Sequence, residues 1–154
     1  MKQEFNWTDQ GYDILMKFYS EGIDSINDEL EYITNMTSNR YLCRWNSIGE
    51  TQVKLKTTPM KIAFCTYIEK LYGFIQNDYD YFKVNQYLTI NHKTFFKYLV
   101  CSPNNLKSSV IDLIRMTFST EEVLHVSLIA CYVKIRLQLT YLSERIYRLW
   151  KSLN

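Results

Sequence analysis

From Ser119 to its last residue, Asn154, the chain contains neither glycine nor proline. Those two residues interrupt helices most often, so their absence favours long helical structure. The segment opens with Ser119-Thr120-Glu121-Glu122, which matches a capping box, a pair of side chains that accept from backbone N–H groups at a helix start. The sequence after it, VLHVSLIACYVKI, is apolar nearly all round, as in a helix surrounded by others. We therefore expect the central helix of the fold to begin here.

The length of this segment creates a conflict. One helix of about 33 residues would be about 50 Å long, whereas a compact chain of this size has a radius of gyration of roughly 15 Å. The helix must therefore protrude or break. Thr140 can cap a final helix that carries Leu142, Ile146 and Leu149, so we predict a break near Leu139-Thr140.

Apolar spacing at three to four residues predicts further helices upstream. They cover 9–20, ended by Gly22; from Asp24-Ser25 to 35–39; from Pro59 through Ile75; 91–100, ended before Pro103; and a helix capped by Asn104 or Asn105. Residues 77–89 show no clean period and are predicted to be an irregular connection that could include a helical turn.

Residues 40–57 have a different pattern. Apolar and polar residues alternate there on both sides of a turn that contains Gly49, which is typical of a β-hairpin. The predicted fold class is therefore mainly α: a single-domain helical bundle of about six helices, with a small β-hairpin near residues 40–57. A length of 154 residues fits one domain, residues 1–154.

Composition sets limits on the class of protein. Apolar residues make up 47% and charged residues 22%, as in globular proteins, and no run reaches the roughly 18 apolar residues of a membrane span. The four cysteines form no CxxC pair, and the N-terminus lacks a signal-peptide apolar region. We expect an intracellular protein, cytoplasmic or nuclear, in its own cell or in a host cell.

Charge is distributed unevenly along the chain. Residues 1–37 hold eight acidic and two basic side chains, a net charge of −6, and the remainder has a net charge of +8. Basic side chains cluster on the predicted hairpin beside Trp45, which could stack on bases, and again near the C-terminus. The candidate nucleic-acid-binding residues are Arg40, Arg44, Trp45, Lys54, Lys56, Arg145, Arg148 and Lys151. The alternative is that the acidic first helices offset the basic remainder within the fold.

Sequence motifs of common enzymes are missing. There is no phosphate-binding glycine-rich loop, nucleophile elbow, HExxH or calcium loop. Of the two histidines, we expect His125 to be buried in the central helix and His92 to be a surface or capping residue. Asp78 and Asp80, joined by Glu69, could hold a metal ion, but two carboxylates in an aromatic loop are more often solvated. We predict no catalytic residue, no metal, no cofactor and no enzyme activity.

Aromatic residues are abundant between 79 and 98. Phe95 and Phe96 are expected in the core. Tyrosine is enriched at protein interfaces because it joins an apolar ring to a hydrogen-bonding tip. The predicted protein-binding residues are Tyr79, Tyr81, Phe82 and Tyr87.

The sequence thus favours a non-enzymatic protein–protein interaction module that acts through its aromatic surface or its C-terminal helix. Its partner would be another protein, or itself as a homodimer. Richness in Tyr, Asn, Ile and Lys is typical of AT-rich coding, which suggests a viral or parasite accessory protein that acts on a host. Nucleic-acid binding is one alternative. In its short length, helical pattern and composition the chain also resembles poxviral Bcl-2-like immune modulators, which would imply an apoptosis or immune modulator, although their Asn-Trp-Gly-Arg motif is absent.

Overall fold

The computed structural model describes residues 7–35, 59–73 and 81–153. These ranges are almost entirely helical and contain no strand, so the mainly α fold class is confirmed. In chain order, a π-helical turn at Trp7–Gly11 leads into α1 (Tyr12–Met16), α2 (Ser20–Asn35), α3 (Pro59–Leu71), α4 (Tyr81–Tyr87), α5 (Ile90–Cys101), a 3-10 turn at Pro103–Asn105, α6 (Ser108–Arg115) and α7 (Thr120–Leu153). The hairpin predicted at 40–57 lies outside the described residues.

The last helix, α7, begins where the capping box predicts. The backbone N–H of Ser119 donates to Oε2 of Glu122 at 2.6 Å, and the N–H of Glu122 donates to Oγ of Ser119 at 3.3 Å. Both side chains therefore satisfy amide groups that have no partner inside the helix. The predicted helix start is confirmed.

The predicted break in α7 is wrong, because the helix runs unbroken for 34 residues. Thr140 is buried, and its hydroxyl donates to the carbonyl of Arg136 at 2.8 Å. This bond, four residues back, satisfies the side chain within a continuous helix, so no new helix start is needed. Each half of α7 also has its own packing partners, which removes the conflict between helix length and compactness.

The main core lies between the first half of α7 and helices α3, α5 and α6. Phe64 and Ile68 of α3 are fully buried, and the Phe64 ring stacks on Phe96 with centroids 5.2 Å apart. Phe95 is buried beside them, so the expected core position of Phe95 and Phe96 is confirmed. Burying such large side chains supplies most of the free energy that holds these helices together.

A second, smaller cluster holds the N-terminal segment. Trp7, Leu15 and Ile23 are buried together against Leu139 and Ile146 on the second half of α7. The Trp7 indole also donates to Oδ1 of Asn27 at 3.3 Å, which ties the π-helical turn to α2. α7 is therefore the one element that both clusters share.

The central position of α7 is confirmed on one face only. Ile129 and Val133 are buried in the main core, whereas Leu128 is 51% exposed. The described neighbours pack against one side of this helix, so burial of its other side stays a prediction. By length and composition α7 could also cross a membrane, yet a core helix of a globular protein passes the same test, and 44% of its most apolar window is buried.

Several predicted boundaries differ from the structure. Gly22 lies inside α2 and does not end a helix, and a β-carbon there would lie 1.9 Å from the ring of Tyr19. Because glycine has no β-carbon, the Tyr19 ring can lie directly against the helix backbone at this position. Residues 81–87, predicted to be an irregular connection with at most a helical turn, form the two-turn helix α4, in which Val84 is buried in the main core. A short helix that buries only one side chain has no repeating apolar pattern, so the sequence gives no helix signal there.

Candidate functional site

The predicted aromatic surface is only partly exposed. Phe82 is 76% exposed, whereas Tyr81 and Tyr87 are half-buried against the main core. The ring of Tyr81 also lies beneath the ammonium of Lys70, 3.7 Å from Nζ to centroid, a cation–π contact. Tyr79 lies outside the described residues. The protein-binding role of these four residues stays a prediction, with Phe82 as its exposed member.

The C-terminal basic trio lies within about one third of the circumference of α7. Residues three apart are turned by about 60° around a helix, so Arg145, Arg148 and Lys151 spread over about 120°. All three are exposed, and Arg148 pairs with Glu144 one turn back along α7. Five other predicted nucleic-acid-binding residues lie outside the described residues: Arg40, Arg44, Trp45, Lys54 and Lys56.

His92 is fully buried, so its predicted surface position is wrong, whereas its predicted capping role is confirmed. Its Nδ1 accepts from the backbone N–H of Thr89 at 3.3 Å, and the Thr89 hydroxyl accepts from the His92 N–H. Its Nε2 lies 3.0 Å from the Thr117 hydroxyl, which itself donates to the carbonyl of Ile114. Nε2 therefore carries the proton and donates to Thr117.

This arrangement keeps the His92 ring neutral. Burial lowers the pKa of His92 from its ordinary value of 6.5. The imidazole joins the start of α5 to the end of α6 and packs against Phe118, with ring centroids 5.1 Å apart. His125, which was expected to be the buried histidine, is half-buried on α7 with its Nε2 shielded from solvent, so that expectation is confirmed in part.

A polar cluster joins α3 to α7 beside the main core. Lys61, Cys65 and Glu69 follow one another at four-residue steps along one face of α3. The guanidinium of Arg136 on α7 donates to Oε1 of Glu69 at 2.8 Å. Burial raises the pKa of the Glu69 carboxyl, and the charge of Arg136 opposes that rise. The ion pair thus fixes the position of α3 along α7.

Cys65 stands inside this cluster, and its thiol is held in the protonated form. Burial, reinforced by the charge of Glu69, raises the pKa of Cys65 to about 12. The thiolate is the reactive form of cysteine, so this thiol is a structural side chain and is not an activated nucleophile. Cys101 and Cys131 are exposed and far apart in the sequence, and Cys43 lies outside the described residues. Within the described ranges no three side chains among His, Cys, Asp and Glu could hold a metal ion.

A shallow apolar groove lies between α1 and the end of α7, with a volume of about 260 Å³. Its lining consists of Ile14, Lys17, Phe18, Ile146, Tyr147 and Trp150. The ammonium of Lys17 lies 5.9 Å from the centre of the Trp150 ring, at one wall of the groove. No sequence pattern indicated this groove. The four-residue steps from Ile14 to Phe18 and from Ile146 to Trp150 were visible, but nothing indicated that the two segments meet.

The outer face of α7 carries an apolar band that we call the outer stripe. It consists of Leu124, Leu128, Cys131, Ile135, Leu142, Leu149 and Leu153. Its leucines and isoleucine are exposed by 45 to 83%. The members recur at steps of three, four or seven residues, which is the spacing of a helix seam that faces another helix. The members within VLHVSLIACYVKI were expected to be covered by other helices, but periodicity does not tell which apolar face of a helix has partners.

Taken together, these features define a mainly helical protein organised on one long C-terminal helix, with His92 and Cys65 as structural side chains. The chain belongs to the family described as "PA26 p53-induced protein (sestrin)", which its sequence matches over residues 1–149. It is similar to "Sestrin-2" of Mus musculus, with 27% identity over 146 residues, 95% of this chain and 29% of that protein. It is also similar to "Sestrin-1" of Xenopus laevis, with 25% identity over 95% of this chain and 29% of that protein.

A further relative is the "Sestrin homolog" of Dictyostelium discoideum, with 24% identity over 128 residues, 83% of this chain and 20% of that protein. The chain therefore spans less than a third of the length of these relatives. What they do as whole proteins does not transfer directly to this shorter stretch.

Family membership corrects the predicted function. The interpretation as a viral or parasite accessory protein is wrong, because the matching relatives are sestrins of organisms such as Mus musculus and Dictyostelium discoideum. The poxviral Bcl-2-like and nucleic-acid-binding alternatives are wrong for the same reason. Richness in Tyr, Asn, Ile and Lys reflects the base composition of a genome and says nothing about a protein's role. A helical pattern with scattered basic clusters is shared by many unrelated folds.

Proposed function

We propose that this chain is a sestrin-type, stress-induced regulatory protein that acts inside the cell by binding and not by catalysis. The observation that carries the proposal is the match to the sestrin family across residues 1–149, nearly the whole chain. The family's description as p53-induced supports regulation at the level of expression.

The chemistry of Cys65 and His92 supports a structural role for both side chains. Cys65 is protonated at neutral pH because burial raises its pKa to about 12, and the ring of His92 is neutral, buried and bonded to Thr89 and Thr117. A thiol catalyst needs the opposite, an accessible cysteine with a lowered pKa. Both side chains instead hold helices together.

Expression under stress tests the first half of this proposal. Cells of the source organism are exposed to genotoxic or oxidative stress, and the protein is followed by quantitative mass spectrometry. We expect its abundance to rise several-fold relative to housekeeping proteins of similar length. Unchanged abundance under both stresses would contradict the proposal.

Complementation tests whether the chain has sestrin activity. Dictyostelium discoideum cells that lack their sestrin homolog are supplied with this chain, with their own protein, or with an empty vector, and survival after stress is compared. Partial rescue by the whole chain is expected, and a Cys65→Ser variant should rescue equally well. A variant that folds normally but fails to rescue would show that the thiol takes part in chemistry.

A further inference from the structure

The groove between α1 and the end of α7 combines apolar walls with one cation. Its volume of about 260 Å³ lies just below the range of about 300–1,000 Å³ that is typical of pockets for drug-sized ligands. Half of its lining is aromatic, from Phe18, Tyr147 and Trp150. Aromatic rings pack well against another flat ring, so the groove suits a small ligand with an aromatic body.

Lys17 is the charged residue of this lining. Its ammonium lies 5.9 Å from the centre of the Trp150 ring, and among the residues that the structure describes it has no ion-pair partner. Asp13 and Glu21, four residues before and after Lys17, are both exposed to solvent. A carboxylate at this wall of the groove would therefore gain an ion pair with Lys17, whereas an ammonium group would be repelled there.

The groove borders the smaller cluster that holds the N-terminal segment. Ile146 lines the groove and also packs against that cluster. From the other side, Ile14 lines the groove and directly precedes the buried Leu15. A ligand in the groove would thus contact α1 and α7 at once. A ligand that binds only the docked arrangement stabilises it, so binding should suppress opening of the N-terminal segment.

We propose that this groove binds a small aromatic carboxylate, with the ring between α1 and α7 and the carboxylate paired with Lys17. The bound ligand holds the N-terminal segment against α7. This inference goes beyond the proposed stress-response function, and its failure would leave that proposal standing.

Three probes of similar shape and different charge test the recognition: naphthylacetate, naphthylethanol and naphthylethylamine. Each is titrated into the whole chain at low ionic strength, and binding is followed by the amide chemical shifts of α1 and of the end of α7. We expect a Kd of about 1 mM or lower for the carboxylate. It should bind roughly twofold to fivefold more tightly than the alcohol, the contribution of an exposed ion pair. The amine should bind most weakly, and the preference for the carboxylate should shrink at high salt.

Matched variants separate the two parts of the site. Lys17→Met removes the charge and keeps the length of the side chain, so the three probes should bind it with similar Kd values. Phe18→Ala truncates a ring that is 63% exposed, and it should weaken all three probes about threefold or more while keeping their order. Lys107→Met is the control, since Lys107 is exposed just before α6 and off the groove, and it should leave every Kd unchanged.

Amide hydrogen exchange tests the effect on the N-terminal segment. With naphthylacetate at about ten times its Kd, exchange in α1 should slow about tenfold. Exchange in α3, which packs in the main core, should stay the same. Unchanged exchange in α1 would show that the ligand does not hold this segment.

Circular dichroism establishes that each variant is folded. The proposal is overturned if naphthylacetate at about 10 mM leaves the α1 and α7 shifts unchanged, if the alcohol binds as tightly, or if folded Lys17→Met keeps the preference for the carboxylate. Sedimentation equilibrium tests a different occupant. A wild-type dimer that Phe18→Ala dissociates would assign the groove to a second copy of the chain and overturn the ligand site.

Discussion

At the scale of single residues, a histidine and a cysteine, residue types that often act in catalysis, have structural roles in this protein. His92 joins α5 to α6 as a neutral ring, and Cys65 lies protonated beside the Glu69–Arg136 ion pair. Both owe their state to burial, which disfavours the charged form of either group. Their sequence neighbourhoods alone did not reveal this.

Burial of His92 makes stability depend on pH. Its pKa is lower in the folded chain than the ordinary 6.5, so the unfolded chain binds more protons between those two values. The contribution of His92 to the free energy of unfolding is therefore present above pH 6.5 and is lost as the pH falls below it. We expect urea-unfolding experiments from pH 7.5 to 5 to show this loss.

The matched variant for this prediction is His92→Asn, in which the decline between pH 7 and 5.5 should be shallower. Glu69 acts in the opposite direction, because its raised pKa stabilises the fold as the pH falls, so only the difference between the two chains is informative. Equal slopes for both chains would show that His92 does not cause the dependence.

The raised pKa of Cys65 predicts selective labelling. At pH 8 iodoacetamide should modify the exposed thiols Cys101 and Cys131 in the native chain and leave Cys65 unmodified. Peptide mass spectrometry before and after addition of guanidinium chloride measures this. Labelling of Cys65 at a rate similar to that of Cys101 would contradict the structural role of this thiol.

At the scale of elements, the helices with a strong buried stripe or a distinct cap were the ones that could be predicted. The Pro59 start of α3 and its stripe through Phe64 and Ile68 agree with the structure, as does the capping box of α7. α4 was missed because it buries only Val84. The break expected at Thr140 does not occur, because a threonine can also donate to the carbonyl four residues back.

The capping box predicts the effect of a small change at the start of α7. Ser119→Ala should lower the free energy of unfolding by about 1 kcal/mol, because the N–H of Glu122 loses its partner. Ser152→Ala is the control, since Ser152 is exposed near the end of the same helix, and it should change stability by less than about 0.5 kcal/mol. Urea-unfolding midpoints measure both, and equal effects would show that the cap contributes nothing specific.

At the scale of the whole molecule, α7 connects two separate clusters. Helices α3, α5 and α6 pack on its first half, and the N-terminal segment packs on its second half through Leu139 and Ile146. The smaller cluster buries few side chains and should open without unfolding the larger one.

Leu15→Ala tests this division. Replacing a buried leucine by alanine lowers the free energy of unfolding by about 2–5 kcal/mol. We expect a loss of this size to open the small cluster. We predict faster amide hydrogen exchange in residues 7–35, with protection in α3 and α5 unchanged. Val100→Ala, in the main core, should instead speed exchange across the whole described chain. Uniform loss of protection in Leu15→Ala would show that the two clusters unfold together.

The sequence by itself determined the mainly helical class, the start of α7 and the aromatic core around Phe95 and Phe96, because caps and apolar periods act over one or two turns. Tertiary structure alone decided that α7 runs unbroken, that His92 and not His125 is fully buried, and that one apolar face of α7 has no described neighbour. Apolar character shows only that a face gains from burial. Whether another helix lies there to bury it depends on the paths of distant segments, which no local pattern encodes.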